Sequence, residues 1–311
     1  MIAFATALEP LRLTNRHYGR EVYSWRLISE NGEPVSASNN IACSVDGSLA
    51  EERGRIHIGE RPDMIFVCSG LGVETYRNRH LYGWLKASLG RDVALAGLCT
   101  GAWILADAGL LDDKRCAIHW ESLPGFAERF PQVNVYADLF EFDGNIYTCA
   151  GGTAALDLVL HLIDQEHDAN VVNRVCELCL TDRVRNPGDR QRLPLRARLG
   201  VQNSKLLTII ELMEANLSEP LSLLEIAGYV GLSRRQIERL FLRNLGRSPA
   251  RYYLELRLDR ARHLLLQSEI QIVEVGVACG FVSASHFSKC YRELYSRSPQ
   301  QERQQREILV I

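Results

Sequence analysis

The chain has 311 residues, of which 46% are hydrophobic and 24% charged, and its 36 basic and 38 acidic side chains leave a formal net charge of −2. That is enough chain for two cores of ordinary globular composition, and it excludes a disordered or low-complexity protein. No apolar run approaches the roughly 20 residues of a membrane span, no basic-then-apolar leader opens the chain, and nine cysteines without framework spacing fit reduced thiols in the cytoplasm.

Met1 to Arg16 reads as a loop running into a helix. Beyond it, apolar runs at 22–29, 63–68 and 93–98 predict strands, and 74–88, 102–108 and 153–165 predict helices. This alternation implies an α/β domain, flavodoxin-like, with a mostly parallel sheet covered on both faces. The third strand is the informative one. It runs through Val93-Ala94-Leu95-Ala96 into Gly97-Leu98-Cys99-Thr100-Gly101 and then a helix, the pattern of a nucleophile elbow with cysteine in place of serine. A thiol at a helix N-terminus is favoured as thiolate by the macrodipole, so Cys99 is expected to be unusually acidic. Its blander reading, a small residue at a tight turn, stays open.

The strings ALEPLR, CSGLG, GLCTGAW and AIHWES carry a resemblance. Residues 1–182 resemble the DJ-1/PfpI branch of the class I glutamine-amidotransferase-like fold. The resemblance implies that Glu9 and His119 lie beside Cys99, and that Gly70 and the Thr100 amide offer backbone donors to an oxyanion or carboxylate. It gives Glu9, Gly70, Leu71, Cys99, Thr100, His119 and Trp120 as ligand-binding candidates. Trp103, Trp120 and Tyr76 are possible walls for a quaternary ammonium group. Family members place a hydrophobic strand before the loop of Glu9, whereas Met1 stands eight residues before it. A first strand missing through a late start assignment is the expectation, because its loss would leave ladder groups of a parallel sheet unpaired.

Further along, a helix is predicted at 169–180. Its Cys176 and Cys179 form a lone CxxC with no second ligand pair, so neither metal nor cofactor is expected. Residues 183–202 then gather Arg183, Arg185, Arg190, Arg192, Arg196 and Arg198 around Pro187, Gly188 and Pro194. They read as a basic linker that either touches phosphates or is a solvated tether.

The last third repeats itself. Ile226-Ala227 leads through Val230 to the turn Gly231-Leu232-Ser233 and a helix at 234–245, and Val275-Gly276 leads through Cys279 to Gly280-Phe281 and a helix at about 283–294. Gly231 and Gly280 lie 49 residues apart (280 − 231), while the Arg-Ser-Pro triplets that begin at Arg247 and Arg297 lie 50 apart (297 − 247), so the second turn holds one extra residue. Each copy has a helix-turn-helix layout: a small residue at the helix crossing, a glycine for positive φ, and Ile237 or Phe287 anchoring the second helix. The polar faces left over carry Arg234, Arg235, Glu238, Arg239 and Arg243 in one copy and Ser285, His286, Lys289 and Arg292 in the other, side chains that pair with base edges and phosphates. A helix at 250–267 joins them.

GLSRRQIERLF, ARYYLELRLDRARHLLL and CGFVSASHFSKCYRELYSRSP resemble the DNA-binding domain of AraC/XylS-family regulators over 203–303, leaving 304–311 as a tail. By position the resemblance gives Arg235, Glu238 and Arg239, then Ala284, Ser285, His286 and Lys289, as base-contacting candidates. Together the two domains resemble GlxA-like AraC-type regulators, including those that control arginine, carnitine and glycine betaine catabolism. The resemblance implies a ligand-responsive, sequence-specific regulator, an activator of amino-acid or betaine/carnitine catabolic genes. Its partners would be double-stranded operator DNA, a small metabolite, RNA polymerase and a second copy bound through the N-terminal domain. A second class remains: a cysteine-dependent hydratase, amidase or glyoxalase using Glu9, Cys99 and His119, with DNA binding attached.

Overall fold

The computed structural model describes residues 1–192 and 195–308; residues 193–194 of the expected linker and 309–311 of the expected tail lie outside the described residues. The chain divides into two compact units, Met1–Gln191 and a second that begins at Arg192.

The first unit runs α1 (Ile2–Tyr18), β1 (Ile28–Ser29), β2 (Val35–Ser36), β3 (Ala42–Cys43), β4 (Gly47–Ser48), α2 (Leu49–His57), β5 (Met64–Ser69), a 3₁₀ turn at Val73–Thr75, α3 (Arg79–Leu89), β6 (Ala94–Cys99), α4 (Gly101–Asp107), β7 (Arg115–Ala117), α5 (Leu123–Arg129), β8 (Asn134–Tyr136), β9 (Phe140–Asp143), β10 (Ile146–Cys149), α6 (Ala154–Glu166) and α7 (Ala169–Cys179). Its main sheet has the order β5-β6-β10-β9, parallel except for the β9–β10 hairpin. Strand β6 is buried on both faces because helices cover both. Leu95 packs with Trp84, Trp103 and Phe126, while Leu98 packs with Phe140, Leu158 and Val175.

Sequence expectation and structure part in three places. Residues 22–29 yield only the two-residue β1, paired with β4 outside the main sheet. The predicted helix at 74–88 starts later, because Asn78 accepts from the N–H groups of His80 and Leu81 and so fixes the N-terminus of α3. The expected loop after Met1 is helical from Ile2 onward, with Pro10 inside α1.

The basic segment is also no free tether. Arg185 reaches Asp157 on α6, whose side chain is only 4% exposed, with Nε at 2.9 Å from Oδ2 and its backbone N–H at 2.8 Å from Oδ1. Leu139 donates to the Pro187 carbonyl, the backbones of Asp138 and Arg190 form an isolated antiparallel β-bridge, and Gln191 Nε2 donates to the carbonyls of Ile118 and Asp138 at 2.9 and 2.8 Å. Beyond the boundary, Arg198 pairs with Glu214 at 2.6 Å.

The second unit is helical: α8 (Leu195–Leu199), α9 (Ser204–Ala215), α10 (Leu223–Val230), α11 (Arg234–Leu245), α12 (Pro249–Gln267), α13 (Ile272–Ala278), α14 (Ala284–Tyr295) and α15 (Pro299–Ile308). It has two small cores. The N-terminal part of α12 puts Tyr252 and Tyr253 into the first with Ile226, Ile237 and Phe241, and the rest puts Leu258, Ala261 and Leu265 into the second with Val275, Phe287 and Tyr291. The helix is therefore the shared spine of both helix-turn-helix pairs.

Candidate effector site and nucleic-acid interface

The strand-to-helix turn after β6 is held in a tight cage. Cys99 has φ 60°, a left-handed backbone that a β-carbon disfavours, so the surroundings must over-determine it. They do so through glycine. A Cβ on Gly101 would lie 2.1 Å from the Val67 carbonyl oxygen, and one on Gly151 would lie 2.5 Å from the Cys99 Cβ and 2.9 Å from its Sγ. Thr100 Oγ1 donates to the Gly70 carbonyl at 2.9 Å and meets Ser69 Oγ at 2.8 Å, tying the end of β5 to the elbow.

The thiol itself departs from expectation. Burial pushes its pKa above the ordinary thiol value, the nearby Glu121 carboxylate adds to this, and the Thr100 backbone N–H opposes it without winning. Desolvation outweighs the helix terminus, so the Cys99 thiol is held above, not below, the ordinary thiol range.

Glu9 is not brought to this thiol. It lies within α1, with its carboxylate 48% exposed and paired to Arg12 at 2.6 Å. Glu121 is the carboxylate whose charge reaches Cys99, as the weakest of the influences on that thiol. Glu121 also donates its backbone N–H to His119 Nδ1 at 3.4 Å, and its Oε2 lies 3.8 Å from the same nitrogen. Glu121 is the third residue of the HWE string, which is the sequence signal for it. His119 and Trp120 rings sit 5.8 Å apart at 34°. Among the aromatic candidates, Trp103 is fully buried and packs on Phe126 and Phe130, which makes it core and no ligand wall. Tyr76 is half-buried with its hydroxyl 3.4 Å from Glu30. Leu71 is 87% exposed, and Gly70 contributes its carbonyl to Thr100. Among the described residues no group of three His, Cys, Asp or Glu side chains is placed to hold a metal.

Both readers in the second unit form as the repeat predicts. In the first, Gly231 closes α10 at φ 65°, and Ser233 and Gln236 make a reciprocal capping box that starts α11. Ile237 and Phe241 are fully buried, while Arg234, Arg235, Glu238, Arg239 and Arg243 are exposed. Arg234 Nε contacts Glu238 at 3.0 Å, so those two side chains must separate before either reaches a base. In the second reader Gly280 has φ 74°, Ser283 caps α14, Phe287 is fully buried, and Ala284, Ser285, His286, Lys289 and Arg292 are exposed. Gly276 lets the helices cross closely, since a Cβ there would lie 3.3 Å from the Phe287 ring. Ala284 offers no hydrogen-bonding side chain at the exposed start of α14.

Known proteins share these features. The sequence matches the DJ-1/PfpI family over residues 8–165 and a helix-turn-helix domain over residues 226–305. It is 44% identical over 304 residues to the HTH-type transcriptional regulator GbdR of Pseudomonas aeruginosa, covering 98% of this chain and 81% of that one. It is 33% identical over 300 residues to the HTH-type transcriptional regulator GlxA of Rhizobium meliloti, covering 96% and 90%. The crystal structure of an AraC family transcriptional regulator from Pseudomonas putida aligns with TM-score 0.50 and 26% identity over 58% of this chain and 92% of that chain.

Proposed function

Because this chain belongs to the AraC-type transcriptional regulators that carry an N-terminal DJ-1/PfpI domain, ligand-responsive DNA binders rather than enzymes, we propose that its cysteine elbow is the effector site and its two readers grip one operator. The observation that carries this reading is the pair of in-register helix-turn-helix units with buried anchors and exposed polar faces. Arg235, Glu238 and Arg239 of α11 and Ala284, Ser285, His286 and Lys289 of α14 face the bases, with Arg234, Arg243 and Arg292 at their edges. The 19 residues of α12 span roughly 28 Å, near the roughly 34 Å between successive major-groove faces.

The effector is a small amino acid or betaine/carnitine-type metabolite held by Thr100, His119, Trp120 and Glu121 beside Cys99. The Glu121 carboxylate and the Trp120 ring suit a cationic nitrogen, and the Thr100 amide suits a carboxylate. Residues 1–182, within the first unit, also bring two copies together on paired DNA sites, and the protein works in the cytoplasm with RNA polymerase as an activator. Among the described residues no helix is long and apolar enough to cross a membrane.

A thermal-shift screen of catabolic metabolites on the full chain tests the reading, since a ligand that prefers the native state raises its stability. One metabolite should raise the melting temperature and change operator affinity, and Cys99→Ala should blunt both responses. A Cys99-dependent turnover of such a metabolite in the enzyme range of ~1 to 10³ per second would replace the reading by the enzyme alternative.

A further inference from the structure

Each helix-turn-helix is gripped from behind by a cation on the helix that precedes it. In the first, Lys205 of α9 donates Nζ to the carbonyl of Val230, the last residue of α10. In the second, Arg257 of α12 does more. Its Nε donates to the Cys279 carbonyl at 2.7 Å, its Nη2 donates to the Gly280 carbonyl at 2.6 Å, and its guanidinium carbon lies 4.2 Å from the centre of the Phe281 ring. The carbonyls at a helix C-terminus have no partner within the helix, so an external donor fixes the turn that follows.

Phe281 passes that constraint onward. Its ring centre is 5.1 Å from that of Phe287, the buried anchor of α14, and 5.8 Å from that of His286 on the exposed face. His286 is held on its other side by Cys290, with Nε2 at 3.3 Å from Sγ. A continuous line of contacts therefore joins a side chain on the spine helix to a base-reading candidate, through the turn between α13 and α14.

We propose that Arg257 is a positioning residue for the second reader: by clamping the turn carbonyls and stacking on Phe281 it sets the angle of α14 and the orientation of His286, and so fixes sequence discrimination in the half-site that α14 reads. The proposal rests on the reading that α14 faces DNA. The clamp needs arginine. A planar guanidinium presents parallel donors to two neighbouring carbonyls while its face covers a ring, whereas a lysine ammonium satisfies one carbonyl at a time and stacks poorly. The corresponding lysine in the first helix-turn-helix grips one carbonyl, which leaves α11 to be held by its capping box and its two buried anchors.

The test uses the full chain and a DNA duplex enriched from a random pool by the wild-type protein. Affinities are measured by fluorescence anisotropy for this duplex and for versions with single base-pair changes across both half-sites. Loss of selectivity in Arg239→Ala identifies the half-site read by α11. In the wild type, changes in the other half-site should weaken binding about tenfold each. In Arg257→Met those penalties should fall below about threefold while penalties in the α11 half-site persist, with Arg257→Lys intermediate. A purely stabilising arginine would lower binding to all duplexes alike. Equal loss in both half-sites, or full penalties retained in either variant, overturns the proposal. If Arg257→Met does not fold, Arg257→Lys, which keeps the charge and loses the fork, decides by the same measure. Should the wild type itself show no penalty outside the α11 half-site, the reading of α14 as a DNA reader falls, and the proposal with it.

Discussion

Replacing the two turn glycines by alanine should separate the repeats by energy. Gly231 and Gly280 hold the same place in their motifs and both have positive φ, 65° and 74°. Alanine in that left-handed region costs about 1–2 kcal/mol. At Gly231 that is the whole cost, because nothing lies within 4 Å of the added carbon. At Gly280 the new Cβ would sit 2.6 Å from Cδ and Cγ of Pro220 and 2.9 Å from the Leu217 carbonyl oxygen. A proline ring and a main-chain carbonyl cannot swing aside, so overpacking adds about 1–3 kcal/mol and brings the total to about 2–5 kcal/mol. Urea denaturation of the full chain reads this out cleanly. Trp25, Trp84, Trp103 and Trp120 are the four tryptophans and all lie in the first unit, so their fluorescence follows that unit, while far-ultraviolet dichroism also follows the helical second one. Gly280→Ala should move the dichroism transition well beyond Gly231→Ala and leave the fluorescence transition in place. Equal destabilisation by the two, or a shift of the tryptophan transition, would refute the reasoning.

Other expectations follow from the first unit. Alkylation of Cys99 by iodoacetamide should be slow at neutral pH and rise only above the usual thiol range of about 8.5, since burial raises its pKa and only the thiolate reacts; half-maximal reaction at or below that pH would contradict it. Removing the thiol by Cys99→Ala should change induction of a reporter gene more than operator affinity, and unchanged induction would leave Cys99 as a small residue at a tight turn. Arg185→Ala strands the Asp157 carboxylate, 4% exposed, with the backbone N–H of residue 185 as its remaining partner from that segment. Tryptophan-monitored denaturation should show a loss of about 3 kcal/mol, and a loss in the surface-pair range below about 1 kcal/mol would rule out a buried anchor.

The sequence was most legible where local rules act. A glycine in a left-handed turn, a serine cap and a buried residue at each reader's core placed α11 and α14 almost to the residue, and G-x-C-x-G placed the elbow. Features set by distant partners were hidden. The pairing of Arg185 with Asp157 spans 28 residues, and nothing in a run of six arginines separates an anchor from a tether. For Cys99 the helix-terminus effect is visible in sequence, whereas the burial that raises its pKa is not. Residues 22–29 look like a strand, but a strand needs a neighbour, and two residues are all that β4 pairs with β1. Motif position points Glu9 to the elbow, whereas its own helix offers Arg12 one turn away.

The central claim, that α11 and α14 read a specific DNA sequence, is met most directly by comparing operator and scrambled duplexes in anisotropy titrations of the full chain and its Arg239→Ala variant. Arg239 is exposed on α11, opposite the buried Ile237 and Phe241. If it reads a base, the variant loses about 1–3 kcal/mol on the operator and much less on scrambled DNA. Equal loss on both would make Arg239 a phosphate contact, and no preference for operator over scrambled DNA by the unaltered protein would contradict the claim itself.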